Sequence, residues 1–172
     1  MNRQSLIRFL WAAALFISVA AHVFAQESSG VQFNPIKWSL KLDSPAATFK
    51  AGDQIRLLLT AEIEDGWHLY SLDEIERGPK PTRISLASDQ LFELADIESP
   101  EPQSAFDENF GIPTQFYEHA VTFTLPVTVA TKAPAGKRKL IAQARYQTCT
   151  DKLCLPPKLV KTEVEVEITA GK

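Results

Sequence analysis

The sequence predicts an all-β sandwich of about eight strands, and two observations carry this prediction. Apolar and polar residues alternate along several segments, as they do on a strand that turns one face towards a core. Turn signals separate these segments, at Ala51-Gly52-Asp53, Asp65-Gly66 and Pro134-Ala135-Gly136. No ten-residue stretch repeats apolar side chains convincingly at the helical spacing of three and four, so helices are not expected.

The alternation identifies individual strands. Strands are expected at Ile36–Leu42 and over residues 67–72, 82–86 and 92–97, in addition to the four segments with the clearest apolar faces. The clearest apolar faces are formed by Ile55, Leu57, Leu59 and Ala61, by Val121, Phe123, Leu125 and Val127, by Leu140, Ala142, Ala144 and Tyr146, and by Val164, Val166 and Ile168. Each of these segments is expected to bury one face and to leave the other in solvent.

Residues 1–25 are expected to be a secretory signal peptide. Arg3 and Arg8 flank an apolar run over residues 9–21, and Val23 and Ala25 are the small residues that a signal peptidase requires for cleavage after Ala25. An uncleaved N-terminal anchor is the alternative. The run is too short for a comfortable membrane span and no other stretch approaches one, so a mature chain of residues 26–172 is expected to be one exported domain without a membrane span.

Net charge and cysteine content narrow the range of possible partners and functions. The chain has a formal net charge of -3, which becomes more negative when Arg3 and Arg8 leave with the signal peptide. Nucleic acid is therefore not an expected partner. An exported compartment permits disulfides, and Cys149 and Cys154 can form one.

Residues 99–113 interrupt the alternation. Three prolines and one glycine exclude a long strand or helix there, so a long loop is expected. Phe106 and Phe110 argue against disorder, because exposed aromatic rings gain nothing in a solvated linker. Either these rings pin the loop onto the sandwich, or one of them covers a site.

The two cysteines have three possible roles: a structural staple, a metal clip or a redox centre. As a staple, the ring of six residues from Cys149 to Cys154 would contribute about 2 kcal/mol, against about 4.7 kcal/mol for a loop of a hundred residues. A short ring also risks strained geometry, and strained or exposed disulfides are the readily reduced ones. A minor structural bridge and a redox-active pair both remain open.

A metal clip is disfavoured by spacing. Zinc prefers four ligands, and neither His68 nor His119 has ligand spacing to the cysteines. His68 is expected to be an ordinary side chain on one sheet face and His119 to be solvated. We therefore expect no metal and no cofactor, with a copper- or zinc-handling protein as the remote alternative.

The backbone around the cysteines is expected to be extended. Pro156 and Pro157 impose extended backbone and rigidity, and the following residues alternate as a strand, so the cysteines are expected on a loop between strands. A helix N-terminus, which stabilises the thiolate in thioredoxin-like sites, is absent from this pattern. Such a pair is better suited to exchange with a docked partner than to autonomous oxidation.

One known family resembles the chain at these residues. Tyr146-Gln147-Thr148-Cys149 and Cys154-Leu155-Pro156-Pro157 are similar to the active-site segment in the N-terminal periplasmic domain of the thiol:disulfide interchange protein DsbD. Weaker similarity lies in residues 65–70 and 123–127, so the resemblance extends over most of the mature chain.

The resemblance implies an immunoglobulin-like antiparallel β-sandwich with a reversible disulfide. In that family a membrane electron transporter reduces the disulfide and thioredoxin-fold periplasmic proteins reoxidise it. Cys154 matches the cysteine that attacks a client disulfide, and Cys149 matches the resolving cysteine. Because the chain contains neither a membrane domain nor a thioredoxin-like domain, a separate protein is expected to supply the electrons.

The resemblance also implies a cap loop over the pair. Residues 107–111, which include Asp107 and Glu108, resemble the family's cap, Phe110 is the expected shielding ring, and Tyr70 matches a tyrosine near the site. The sequence departs from the family pattern in two places near this site. The spacer between the cysteines is one residue shorter than in the family, and Asn109 stands where the family has a phenylalanine.

Overall fold

The computed structural model describes residues 33–88 and 91–169. These residues form twelve strands and no helix, so the predicted all-β class is confirmed. Eight of the twelve strands form the sandwich, as expected, and the other four form a separate sheet. The described part of the chain accordingly offers no helix with the length and hydropathy of a membrane span. The predicted signal peptide, residues 1–25, lies outside the described residues.

Two four-stranded sheets form the sandwich. The first has the order β1 (Ile36–Leu42), β3 (Gln54–Ile63), β9 (Ala120–Val129), β6 (Phe92–Leu94). The second has the order β2 (Thr48–Lys50), β12 (Lys158–Thr169), β10 (Gly136–Tyr146), β5 (Arg83–Leu86). All their strand pairs are antiparallel except β2 with β12.

The core lies between the inner faces of these sheets. Along β3, and along β10 from Leu140 onward, every second side chain is buried, and the intervening side chains, such as Gln54 and Arg56, are more exposed. This arrangement confirms the predicted alternation. The buried cluster includes Ile55, Leu57, Leu59, Ala61, Phe123, Leu125, Leu140, Ala142, Ala144, Tyr146 and Ile168.

A third sheet extends beyond the sandwich. Its order is β11 (Thr148–Cys149), β4 (His68–Tyr70), β8 (Ile112–Tyr117), β7 (Gln103–Asp107), and all its pairs are antiparallel. This sheet holds both the cysteine strand and most of the segment that interrupts the alternation. We call β7, β8 and the turn that connects them the cap hairpin. Residues 107–111, at the tip of this hairpin, are the cap turn.

The expectation of a long loop over residues 99–113 was wrong, because β7 and the start of β8 pair there. Pro113 lies opposite Phe106 of β7. It is tolerated on its other side because β4 pairs with β8 only at Phe116 and Tyr117. The missing N–H group therefore removes no bond to β4. Prolines restrict this segment to short strands and do not prevent a hairpin.

Candidate functional site

Cys149 and Cys154 form a disulfide that closes a tight turn. Inside the ring, the Thr150 N–H group donates to the Leu153 carbonyl at 2.8 Å, and the Thr150 hydroxyl accepts from the N–H groups of Lys152 and Leu153. Outside it, the Leu155 N–H group donates to the Thr148 carbonyl at 3.0 Å. The ring therefore has a defined backbone geometry apart from the disulfide itself.

The two sulfur-bearing residues differ in exposure. Cys149 is 0% exposed, whereas Cys154 is partly exposed and its neighbour Leu153 is 55% exposed. Cys154 is therefore the more solvent-accessible residue of the pair.

Cys149 sits on a strand and not, as expected, on a loop. Its strand β11 pairs with β4, so that Cys149 lies opposite His68, and the Thr148 hydroxyl donates to the His68 carbonyl at 2.7 Å. Only Gln147 separates β11 from β10 of the second sheet. Cys149 is thus held by both the sandwich and the third sheet. After the ring, Pro156 and Pro157 are exposed and lead directly into β12; their rigidifying role stays a prediction.

The cap turn is built around Asp107. The Gly111 N–H group donates to the Asp107 carbonyl at 2.7 Å, and the Asn109 N–H group donates to the Asp107 carboxylate at 2.9 Å. Gly111 has a φ of 67°, a left-handed conformation that glycine adopts without steric cost. Asp107 is buried, whereas Glu108 is exposed.

A buried polar network connects the cap turn to β4. The Tyr70 hydroxyl donates to Oδ2 of Asp107 at 2.6 Å, the Thr114 hydroxyl lies 3.3 Å from the same oxygen, and Nε2 of His68 lies 3.1 Å from the Tyr70 hydroxyl. Burial, and then the hydrogen bond and charge of Asp107, raise the pKa of Tyr70 well above its ordinary value. The hydroxyl therefore stays protonated and remains a donor.

His68 is the member of this network whose role the sequence did not reveal. Its ring contacts those of Tyr70 and Phe116, with centroid distances of 5.0 and 4.9 Å. Burial lowers the pKa of His68, and the charge of Asp107 partly opposes this effect. His119, in contrast, is exposed and pairs with Asp65 at 3.4 Å.

Asn109 and Phe110 of the cap turn contact different parts of the site. The Asn109 side-chain amide donates to the Thr150 carbonyl, beside Cys149, at 2.8 Å. The half-buried Phe110 ring packs edge-on against Tyr70 with a centroid distance of 6.0 Å. Shielding of the sulfurs by Phe110 stays a prediction. Phe106 does not pin the hairpin, since it is 59% exposed.

An open groove of about 260 Å³ lies between the cap hairpin and the cysteine ring. Among residues 33–88 and 91–169, no group of three His, Cys, Asp or Glu side chains is placed to hold a metal ion. The groove is lined mostly by aromatic and acidic side chains. Its lining residues are His68, Ala105, Phe106, Asp107, Glu108, Phe116, Glu118 and Asp151.

The structure brings together most of the residues that the sequence identified. Tyr70 and Asp107 are in direct contact, Phe110 packs on Tyr70, and Glu108 and Asp107 share the groove with Asp151 of the cysteine ring. Sequence reasoning missed His68, Asn109 and Thr114. For His68 a signal existed, because residues two apart on a strand share a face and Tyr70 was already identified.

The chain is similar to one family model and to several solved structures. A family model described as "Thiol:disulfide interchange protein DsbD, N-terminal" matches residues 40–165. Similar solved structures include the reduced N-terminal domain of DsbD from Neisseria meningitidis, with 22% identity, a TM-score of 0.45, and coverage of 76% of this chain and 84% of that chain. Another is the N-terminal periplasmic domain of ScsB from Proteus mirabilis, with 19% identity, a TM-score of 0.48, and coverage of 78% of this chain and 52% of that chain.

No curated protein is significantly similar to the chain. The family model, however, matches far more than half of the chain, and the matched segment includes both cysteines, the cap hairpin and the Tyr70 strand. The chain therefore belongs to the family of DsbD N-terminal domains, and its two four-stranded sheets form the immunoglobulin-like β-sandwich expected for it.

Proposed function

We propose that residues 26–172 form a periplasmic thiol–disulfide exchange domain that relays reducing equivalents through a reversible Cys149–Cys154 disulfide. A membrane electron transporter supplies the electrons, and thioredoxin-fold periplasmic proteins receive them. Family membership supports the exchange chemistry. The structural observation that carries the proposal is the unequal exposure of the two cysteines, with Cys149 buried and Cys154 accessible.

This inequality suits the assigned roles. In the reduced domain, the Cys154 thiolate attacks a client disulfide, forms a mixed disulfide and releases one client thiolate. The Cys149 thiol then loses its proton and attacks Cys154, which breaks the mixed disulfide and releases the second client sulfur as a thiolate. The client gains two electrons, takes up two protons and leaves as a dithiol, while the domain disulfide re-forms. Only the first sulfur has to be reached by a partner.

The cap hairpin serves as the shield of the pair. A reduced dithiol in an oxidising compartment has to be kept from other oxidants until the correct partner docks. Phe110 covers the pair from the cap turn, Asp107 and Tyr70 hold that turn in place, and Glu108 lies on its exposed side. The contacts of Asp107 with Tyr70 and of Phe110 with Tyr70 support this arrangement.

The proposed compartment follows from the sequence of residues 1–25, which we assign as a signal peptide cleaved after Ala25. The ScsB domain to which the chain is similar is described as periplasmic. Disulfides form and persist in such an oxidising compartment.

A redox titration tests the proposal. The protein is equilibrated with mixtures of reduced and oxidised glutathione, and the fraction of Cys149–Cys154 disulfide is measured by mass spectrometry after acid quenching and alkylation. A potential near or above about -230 mV supports a relay. A potential below about -300 mV identifies an inert structural bridge and overturns the proposal.

A further inference from the structure

His68 connects the cysteine strand to the cap turn. Its backbone lies opposite Cys149 in the β4–β11 ladder, and its side chain reaches the Tyr70 hydroxyl at 3.1 Å. Tyr70 in turn donates to Asp107, the residue around which the cap turn is built. The side chains of His68 and Asp107 are 9% and 3% exposed, so water does not readily replace these bonds.

The direction of each hydrogen bond follows from the donors available. Tyr70 has a single hydroxyl hydrogen, and the short bond of 2.6 Å places it on Asp107, whose carboxylate oxygen accepts it. The Tyr70 oxygen is then the acceptor towards His68. Neutral His68 accordingly carries its hydrogen on Nε2 and donates to Tyr70.

We propose that His68 is a positioning residue for thiol–disulfide exchange, whose Nε2–H group holds the Tyr70 hydroxyl on Asp107 and so keeps the cap turn closed beside the cysteine ring. The inference rests on the proposed function, because a cap affects only a disulfide that reacts. His68 touches neither sulfur in this role. It acts through Tyr70 and Asp107.

The same placement makes closure dependent on pH. The charged groups that face His68 are Asp107 from the cap hairpin, Glu118 from the end of β8 and Asp151 from the cysteine ring, with the Tyr70 hydroxyl on its own strand. Although these carboxylates favour the imidazolium, burial outweighs them and lowers the pKa of His68 in the closed arrangement.

When the cap opens, solvent returns the pKa of His68 towards its ordinary value of about 6.5. The open arrangement then binds more protons than the closed one in the interval between the lowered pKa and about 6.5. Closure is therefore favoured above this interval and is lost as the pH falls through it. Acid loosens the cap.

The rate at which tris(2-carboxyethyl)phosphine reduces the Cys149–Cys154 disulfide measures access without any client protein. Three variants are compared with the unmodified protein. His68→Phe keeps a ring against Phe116 but removes the donor, and His68→Gln keeps an amide donor that does not titrate. His119→Asn is the matched control, since it removes an exposed histidine and asparagine accepts the φ of 61° at that position.

We expect His68→Phe to accelerate reduction about tenfold, the scale of one lost buried hydrogen bond. His68→Gln should stay within about twofold of the unmodified protein at pH 8, and His119→Asn should match the unmodified protein throughout. A folded His68→Phe protein that is reduced at the unmodified rate overturns the inference.

The pH profile tests the inference even if His68→Phe does not fold. The ratio of the unmodified rate to the His68→Gln rate cancels the pH dependence of the phosphine itself. We expect this ratio to rise as the pH falls from 8 to 5, and a constant ratio overturns the inference. Because phosphine reduction needs no partner, these results are separate from the glutathione potential, which alone decides whether the domain is a relay.

Discussion

Asn109 and Thr150 are joined by a hydrogen bond of 2.8 Å from a side-chain amide to a backbone carbonyl. Asn109 belongs to the cap turn, and Thr150 directly follows Cys149. At the position where the family resemblance led us to expect an aromatic ring, this chain thus has a polar side chain that attaches the cap to the cysteine ring. The cap turn has a second, buried attachment through Asp107 and Tyr70.

Replacing Asn109 by alanine should loosen the cap from the ring. One exposed hydrogen bond contributes about 1 kcal/mol, so Asn109→Ala should raise the phosphine reduction rate of the disulfide about fivefold. Ser104→Ala, at an exposed position of the same hairpin, is the control and should leave the rate unchanged. Equal rates for both variants would show that the bond does not restrain the cap.

Single cysteine variants should distinguish the two sulfurs. Cys149→Ala leaves the accessible Cys154 without its resolving partner, so we expect mixed disulfides with clients to accumulate in periplasmic extracts. Cys154→Ala leaves only the buried Cys149 and should accumulate few. Non-reducing electrophoresis and mass spectrometry identify the attached proteins. Trapping by both variants to the same extent would contradict the assignment of Cys154 as the attacking thiol.

Removing the Phe110 ring should expose the pair. In the reduced protein, Phe110→Ala is expected to increase the rate of cysteine alkylation by iodoacetamide severalfold, because the cap turn then lacks its aromatic side chain over Tyr70. Phe106→Ala is a matched control on the same hairpin, since that ring is already exposed. If alkylation of the Phe110→Ala protein proceeds at the unmodified rate, Phe110 is not the shield.

The Tyr70 hydroxyl should stabilise the domain as well as the cap. Tyr70→Phe leaves the buried Asp107 without its shortest hydrogen bond, so the free energy of unfolding in urea should fall by about 1–3 kcal/mol. Tyr117→Phe is the comparison, because that hydroxyl donates to the neutral carbonyl of Pro100. Its loss should be about 1 kcal/mol. A larger loss for Tyr117→Phe would argue against a special role of the Asp107 contact.

The sandwich was predictable because its signal is local. The long strands β3 and β9, and β10 from Leu140 onward, bury every second side chain, and that period is visible in the sequence without knowledge of the partner strand. β1 was predicted with the bounds that the structure has, Ile36–Leu42. β7 and β11 were not predicted, because β7 is largely exposed and β11 has two residues, so neither carries a period.

The site was predictable only where its residues have a sequence signature. The cysteine spacing and the flanking residues suggested the disulfide, and the resemblance suggested Tyr70 and the cap turn. The polar network of His68, Tyr70 and Asp107 depends on how β4 meets the cap hairpin, 37 residues further along the chain. The local signal, that His68 and Tyr70 share a strand face, does not reveal the contact with Asp107, so His68 was taken as an ordinary strand residue.

The short link between β10 and β11 has a mechanical consequence. Tyr146 is anchored in the core, Thr148 already belongs to the cysteine strand, and the side chain of Gln147 between them accepts the Lys80 N–H group at 2.9 Å. The cysteines are thus fixed close to the core, whereas the cap turn lies at the tip of a hairpin whose base is held by the pairing of β8 with β4 and by the buried Tyr117. We expect a client to meet the fixed cysteine ring on one side and the cap turn on the other. Substitutions confined to the cap turn can then change which clients reach the disulfide without moving the cysteines.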